Sequence, residues 1–310
     1  MNKEILYSVV IPIYNEEDNI PILYEKLVQV FEKIEGNYEI VFVDDGSSDS
    51  SWSLLKELHR KNSSVKILKF SRNFGHQTAI SAGIDFAHGD AVITMDGDLQ
   101  DPPELIPSLI EKWKEGYQVV YAVRKARKGE SFFKKGVAWF FYRILKLLSE
   151  VEIPMDAGDY RLMDKNIAER LKNLKEQYRF IRGLTSWLGF KQTGVEFIRE
   201  PRYKGEVKYS FWKLIKLALD GIISFSIKPL QVASFVGFIV SIFSFLYAVW
   251  AIIYRFALKE IVPGWASAIA IILFLGGIQL ITLGIIGEYI GRIYGEVKDR
   301  PLYIIEEKYE

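Results

Sequence analysis

The first 123 residues alternate short β-branched apolar runs with helical repeats. Ser8–Ile13, Tyr38–Val43, Val65–Phe70, Ala91–Met95 and Tyr117–Val123 read as five strands. Between the first two, Ile20, Leu23, Leu27, Phe31 and Ile34 recur at helical spacing. Asp18 and Asn19 precede them as capping residues, Pro21 falls in the first turn, and Gly36 closes the segment. The same spacing fills Ser50–Lys61, His76–His88 and Pro103–Glu115. Strict alternation of strand and helix predicts an α/β fold, a mostly parallel sheet covered on both faces, with its ligand site beyond the carboxyl ends of the strands. No Gly-x-Gly-x-x-Gly follows the first strand, which disfavours a dinucleotide oxidoreductase.

The pattern changes near the C-terminus. Pro229 to Tyr254 is 26 residues without a charge, and Ile261 to Gly287 is 27 more. Both exceed the roughly 18–20 apolar residues that span a bilayer. Each holds 14 Leu, Ile, Val or Phe, a gross drive for insertion of about 4–8 kcal/mol as an upper bound. They predict a two-helix transmembrane hairpin over residues 229–287 and a cytoplasmic tail over 288–310; a buried helical hairpin in a soluble protein is the alternative. Lys213, Lys216 and Lys228 precede the hairpin, Arg292, Lys298 and Arg300 follow it, and only Arg255 and Lys259 lie between. That asymmetry predicts a multi-pass protein of the inner (plasma) membrane with both termini cytoplasmic. At the N-terminus Ile5–Ile13 is too short an apolar run for a signal peptide. Gly287, Gly291 and Gly295 form a small-residue face that suggests a homo-oligomer.

Composition sharpens this division. The mean hydropathy of +0.07 averages a charged part with an uncharged one, and 40 Lys+Arg against 39 Asp+Glu give no overall preference for nucleic acid. The absence of cysteine excludes a disulfide scaffold, a thiolate zinc site and a thiol nucleophile together. Arg124, Lys125, Arg127, Lys128, Lys134, Lys135, Arg143 and Lys146 stand against the single acid Glu130, interleaved with Phe132, Phe133, Trp139, Phe140, Phe141 and Tyr142. Such a mixture suits a helix lying on an anionic membrane surface, over about 131–149, rather than a nucleic-acid patch. A second amphipathic stretch, residues 209–228, leads into the first span.

Three acidic features fall where strands should end: Glu16, Asp44-Asp45 and Asp96-Gly97-Asp98. In extended chain, residues i and i+2 point the same way, so Asp96 and Asp98 can offer two carboxylates to one hard cation, Mg²⁺ or Mn²⁺, while Gly97 leaves room for a ligand. Acidic residues after strands also serve as solvated caps. His59, His76 and His88 lack metal-ligand spacing and read as ordinary surface or core residues.

The run S-V-V-I-P-I-Y-N-E (residues 8–16), then V-D-D-G-S-S-D (43–49) and M-D-G-D-L-Q-D-P-P-E (95–104), is more specific than any of these acids alone. With D-A-G-D-Y-R-L-M-D (156–164), R-F-I-R-G-L (179–184) and the G-E-Y-I-G-R-I-Y-G-E-V-K-D-R-P-L-Y ending, the chain resembles family-2 glycosyltransferases of the GT-A fold. Within them it resembles the polyprenyl-phosphate glycosyltransferases similar to dolichol-phosphate mannose synthase and bacterial GtrB. The resemblance implies a GT-A domain over residues 1–208 that holds a nucleotide sugar through Pro12, Tyr14, Glu16, Asp44, Asp45, Arg72 and Asn73. It implies a metal and diphosphate site at Asp96, Asp98 and Gln100, and acceptor phosphate contacts at Arg124 and Arg127, to which we add Lys134 and Arg202. Asp156 and Asp159 match acceptor-side acids, of which Asp156 is the favoured catalytic group. The implied reaction moves one hexose from UDP-glucose to undecaprenyl phosphate with inversion, giving a β-linked lipid product. Rival readings keep the fold with another donor (GDP-mannose, an amino-arabinose or a uronic acid nucleotide), or make the chain a silent membrane scaffold or translocation partner. Two features depart from relatives: Val207 replaces a small hydroxylic residue, and the Q-x-x-R-W motif of processive synthases is missing.

Overall fold

Eight strands form one sheet in the computed structural model, which describes residues 6–124, 154, 157–197, 223, 226–258 and 264–310. The strands are β1 (Leu6–Ile13), β2 (Asn37–Asp44), β3 (Val65–Phe70), β4 (Ala91–Thr94), β5 (Val119–Arg124), β6 (Ala157–Asp164), β7 (Gln192–Phe197) and β8 (Ile305–Tyr309). Their order across the sheet is β7-β5-β6-β4-β1-β2-β3-β8. Helices α1 (Ile20–Phe31), α2 (Ser51–Lys61), α3 (His76–Phe86) and α4 (Ile106–Lys114) follow the first four strands, and α5 (Lys165–Asn173) and α6 (Ile181–Trp187) follow β6.

The five strands read from the pattern are all present, with ends shifted by at most two residues. β1, β2 and β4 are apolar and buried along nearly their whole length because helices cover both sheet faces. In α1 the buried residues Ile20, Leu23, Leu27, Val30 and Phe31 follow the helical period, and Pro21 sits in the first turn, where its missing N–H costs nothing. Asn19 is the N-cap residue, but its side chain donates to Glu16 Oε2 instead of capping the helix.

Three strands escaped the pattern. β6 inserts antiparallel between β4 and β5, pairing Thr94 with Arg161 and Val123 with Ala157. This reversal brings the start of β6 to the carboxyl edge of its parallel neighbours. β7 extends the sheet beside β5, and β8 pairs antiparallel with β3 at the opposite edge. The residues expected to form a tail over 288–310 therefore do something else: one helix runs on to Val297, and 305–309 complete the sheet.

The chain divides into two units, and β8 belongs with the sheet. In the second unit, α7 (Lys228–Leu258) and α8 (Trp265–Val297) form a hairpin. Their apolar stretches, Lys228–Tyr254 and Ala268–Val297, have mean hydropathies of 2.3 and 2.5 and contain 27 and 30 residues. At 1.5 Å per residue they are about 40 and 45 Å long, more than the roughly 30 Å hydrocarbon core. Phe235, Phe243, Phe245, Leu273 and Leu280 all stand exposed on them. Apolar surface on this scale requires cover, and its length fits a bilayer, so the protein is membrane-associated. Both expected interfacial helices, 131–149 and nearly all of 209–228, lie outside the described residues.

Candidate active site

The carboxyl edge of the sheet gathers those residues singled out from the sequence that the structure describes after β1, β2, β3 and β4. β1 ends at Ile13, and Tyr14 and Asn15 turn outward, Asn15 with φ of 56°. That turn is locked to the one after β2. Asn15 N–H donates to Ser47 Oγ at 3.0 Å, Ser48 N–H donates to Asn15 Oδ1 at 2.8 Å, and Glu16 N–H donates to Ser51 Oγ at 3.0 Å. Pro12 is buried within β1 opposite Val43, so it shapes this edge without a polar group of its own.

Asp44 and Asp45 are both buried at the end of β2, and burial pushes both carboxyl pKa values up. Their partners differ. Asp45 accepts backbone N–H groups from Phe74 at 2.7 Å and from Gly75 at 3.0 and 3.2 Å, fastening the loop after β3. Asp44 Oδ1 accepts Ser47 N–H at 3.2 Å, while its Oδ2 is buried without a protein partner. Between the two turns Gly46, at φ +73°, passes so close to the β3 loop that a Cβ there would lie 2.6 Å from Arg72 C and 2.7 Å from Asn73 N. Arg72 and Asn73 are exposed on this loop, the Arg72 guanidinium 3.9 Å from the Phe74 ring centroid.

Asp96 and Asp98 sit on the turn after β4. Gln100 N–H donates to Asp98 Oδ1 at 3.1 Å, and Leu99 adopts φ of 61°. A Cβ at Gly97 would meet Ile13 Cδ1 at 2.8 Å and Pro12 O at 3.2 Å, so its smallness lets the turn pack on β1.

The antiparallel β6 delivers Asp159 to the same edge, where it is the hub of an ionic cluster. Arg182 Nε and Nη2 donate to its two oxygens at 2.8 and 3.0 Å, Gln77 Nε2 donates at 2.9 Å, and His76 Nε2 lies 3.5 Å away. Thr94 Oγ1 donates to the Asp159 carbonyl at 2.5 Å, tying β6 to β4. Burial alone would raise the Asp159 carboxyl pKa. The His76 hydrogen bond and the Arg182 charge outweigh it and hold the group well below the usual carboxylate range. Arg182, Gln77 and His76 thus engage both carboxylate oxygens of Asp159.

His76 overturns its reading as an ordinary residue. Its Nε2 is 3.3 Å from Asp96 Oδ1, so the imidazole bridges the β4 turn and the Asp159 cluster. Burial lowers its pKa, but the hydrogen bond to Asp159 and the charges of Asp96 and Asp159 push it up to about 9. Arg182 and Gln77 were likewise missed as site residues. The signal lay in R-F-I-R-G-L and in the polar start of α3, but nothing in either assigns a partner. Asp156, Arg127, Lys134, Arg202 and the Arg124 side chain fall outside the described residues.

Among the described residues, no three His, Cys, Asp or Glu side chains converge as a closed metal cage. The pair Asp96 and Asp98, with Gln100 beside them, is instead a set of hard oxygen donors on one turn, which fits a divalent ion that completes its shell with phosphate oxygens and water.

The first unit is a mostly parallel α/β sheet with acids at its carboxyl edge, of GT-A type, and an apolar helical hairpin follows most of it in sequence. The Glycosyl transferase family 2 pattern matches residues 8–172, and the GtrB C-terminal hairpin pattern matches residues 228–293. The chain belongs to glycosyl transferase family 2 and is a glycosyltransferase. It is 52% identical to an uncharacterized glycosyltransferase of Bacillus subtilis over 100% of this chain and 96% of that one. It is 49% identical to an uncharacterized glycosyltransferase of Synechocystis over 97% and 94%. A prophage-derived bactoprenol glucosyl transferase of Shigella flexneri is 45% identical over 97% of this chain and 98% of its own length.

Proposed function

We propose that the protein transfers glucose from UDP-glucose to a polyprenyl phosphate, undecaprenyl phosphate in bacteria, with inversion at the anomeric carbon. The observation that carries this reading is the end-to-end similarity, hairpin included, to bactoprenol glucosyl transferases at 45% identity. The membrane hairpin supports it chemically. A polyprenyl tail cannot leave the bilayer, so an enzyme acting on its phosphate gains from being held at the membrane. The catalytic unit and both termini face the cytoplasm in this reading, where nucleotide sugars are made.

The residues divide the work. The turns after β1 and β2, locked through Asn15, Ser47 and Ser48 and closed by the Asp45-bound loop, form the nucleotide-binding edge. Asp96, Asp98 and Gln100 would hold a divalent cation, Mg²⁺ or Mn²⁺, which when bound supplies positive charge for the departing diphosphate. The acceptor phosphate oxygen forms the new bond to C1 as the bond from C1 to the UDP oxygen breaks. An α-linked donor therefore gives a β-linked product. A phosphate monoester has a second pKa near 6 and is largely dianionic at pH 7, so the acceptor arrives already nucleophilic. Asp159 then serves as a fixed anion holding Arg182, Gln77 and His76 at the sheet edge. Asp156 orients the acceptor, and Arg124, Arg127, Lys134 and Arg202 attract its phosphate.

Incubating the purified full chain with radiolabelled UDP-glucose, undecaprenyl phosphate and Mg²⁺ should produce butanol-extractable label. Label from GDP-mannose but not UDP-glucose would move the donor assignment. No lipid-linked label from any sugar nucleotide would leave the scaffold reading in its place.

A further inference from the structure

The segment after α8 returns to the sheet by a route that ends at the nucleotide edge. Gln177 Nε2 donates to Arg300 O at 2.6 Å. The Tyr303 ring lies stacked on Phe70, with centroids 5.1 Å apart and planes at 15°, and its hydroxyl donates to Asp85 Oδ2 at 2.8 Å. Ser71 N–H donates to Ile304 O at 3.0 Å, and β8 then pairs along β3 from Phe70 to Ile67, with Lys69 bridging to Glu306 at 2.8 Å.

Phe70 connects this strap to the site. It is fully buried at the end of β3 and meets Phe74 edge-to-face at 5.6 Å. The N–H groups of Phe74 and of Gly75 are the ones that hold the Asp45 carboxylate. An unbroken line of packing therefore runs from Tyr303 through Phe70 and Phe74 to Asp45. The Arg72–Gly75 loop has no regular secondary structure of its own and takes its position from the groups on either side.

We propose that Tyr303 is a positioning residue for the nucleotide sugar: the strap after α8 sets the 71–75 loop through Phe70, and the loop in turn sets the buried Asp45. The proposal rests on the reading of that edge as the nucleotide site. A strap that served stability alone could have been anchored anywhere along β3. This one places the Tyr303 ring stacked on the β3 end, beside the loop, with a hydroxyl fixed by Asp85.

The test compares Tyr303→Leu with the parent in the full chain, measuring UDP affinity by calorimetry with Mg²⁺ and KM and kcat for UDP-glucose. Loss of the stacked pair should weaken UDP and raise the nucleotide-sugar KM about 3–10-fold, with kcat and the lipid KM within about twofold. Tyr303→Phe, which keeps the ring, should recover most of the affinity. Tyr309→Ala, at the far end of β8 and packed on Trp52 and His59, should lower Tm without moving the nucleotide KM. A Tyr303→Leu protein that melts earlier yet binds UDP like the parent overturns the proposal. Should that variant fold poorly, unchanged UDP affinity in Tyr303→Met overturns it equally. Asp45→Asn separates the two layers of inference. If it weakens UDP while the Tyr303 variants do not, the strap proposal alone fails; if it too leaves UDP unaffected, the nucleotide edge has been misread.

Discussion

Replacing Arg182 with Met would strip Asp159 of two of its three short side-chain hydrogen bonds while leaving the charge buried. The Asp159 side chain is only 7% exposed, and Arg182 is 29% exposed. Removing one partner of a wholly buried pair costs about 3–5 kcal/mol because the other charge is stranded. Gln77 at 2.9 Å and His76 at 3.5 Å remain, so the cost here should be about 2–4 kcal/mol. For a unit of roughly 200 residues, at about 2–4 °C per kcal/mol, that is a fall in Tm of about 4–16 °C. Thermal and urea unfolding followed by tryptophan fluorescence in detergent would measure it. Asp159→Asn/Arg182→Met removes both charges and should cost at least about 1.5 kcal/mol less than the sum of the single variants. The pH dependence has a definite sign. The folded-state carboxyl pKa is depressed, so its stabilisation is fully present above the ordinary aspartate value near 4 and lost as pH falls below it. The gap between parent and Arg182→Met should therefore be full at pH 7 and narrow only in acid. A single variant within about 0.5 kcal/mol of the parent, or strictly additive variants, would refute the hub.

EDTA should abolish transfer and Mg²⁺ or Mn²⁺ restore it, and Asp98→Asn should weaken divalent ion and nucleotide together; normal turnover of that variant at micromolar metal would rule the assignment out. At the opposite edge of the sheet, Glu39 bonds Lys66 at 2.7 Å, Ser8 at 2.5 Å and the His88 N–H at 2.7 Å. Burial raises its carboxyl pKa, but these partners lower it on balance, so Glu39→Gln should cost about 1.5–3 kcal/mol at pH 7, a difference that shrinks below about pH 4 in denaturation curves. Gly46→Ala must push back the Arg72–Asn73 backbone; a loss of about 1–3 kcal/mol with a raised nucleotide-sugar KM is expected, and an unchanged KM would separate the loop from the site. Asp156→Asn should be slow at every pH from about 6 to 8.5 in transfer assays, since the acceptor is already ionised near its pKa of about 6; activity that recovered with rising pH would make proton removal the residue's task.

The alternating pattern of residues 1–123 determined the parallel half of the sheet, because strands buried on both faces must be largely apolar and their helices must show one apolar stripe. It also determined the hairpin, whose apolar length has one economical use. The acids after β1, β2 and β4 were legible for the same reason: once strand ends are known, the carboxyl edge is known. β6 was invisible because its buried positions include Asp159 and Arg161, which are acceptable inside only with partners supplied by α3 and α6. β8 was invisible because an edge strand reading I-E-E-K-Y has no apolar face to announce it. His76 looked unremarkable for a deeper reason. Its environment is made by Asp96 and Asp159, residues far along the chain that reach it only when β4 and the reversed β6 lie side by side. Local periodicity specifies which segments are buried; ionic partnership across strands is a property of the assembled sheet, and only the tertiary structure decided it.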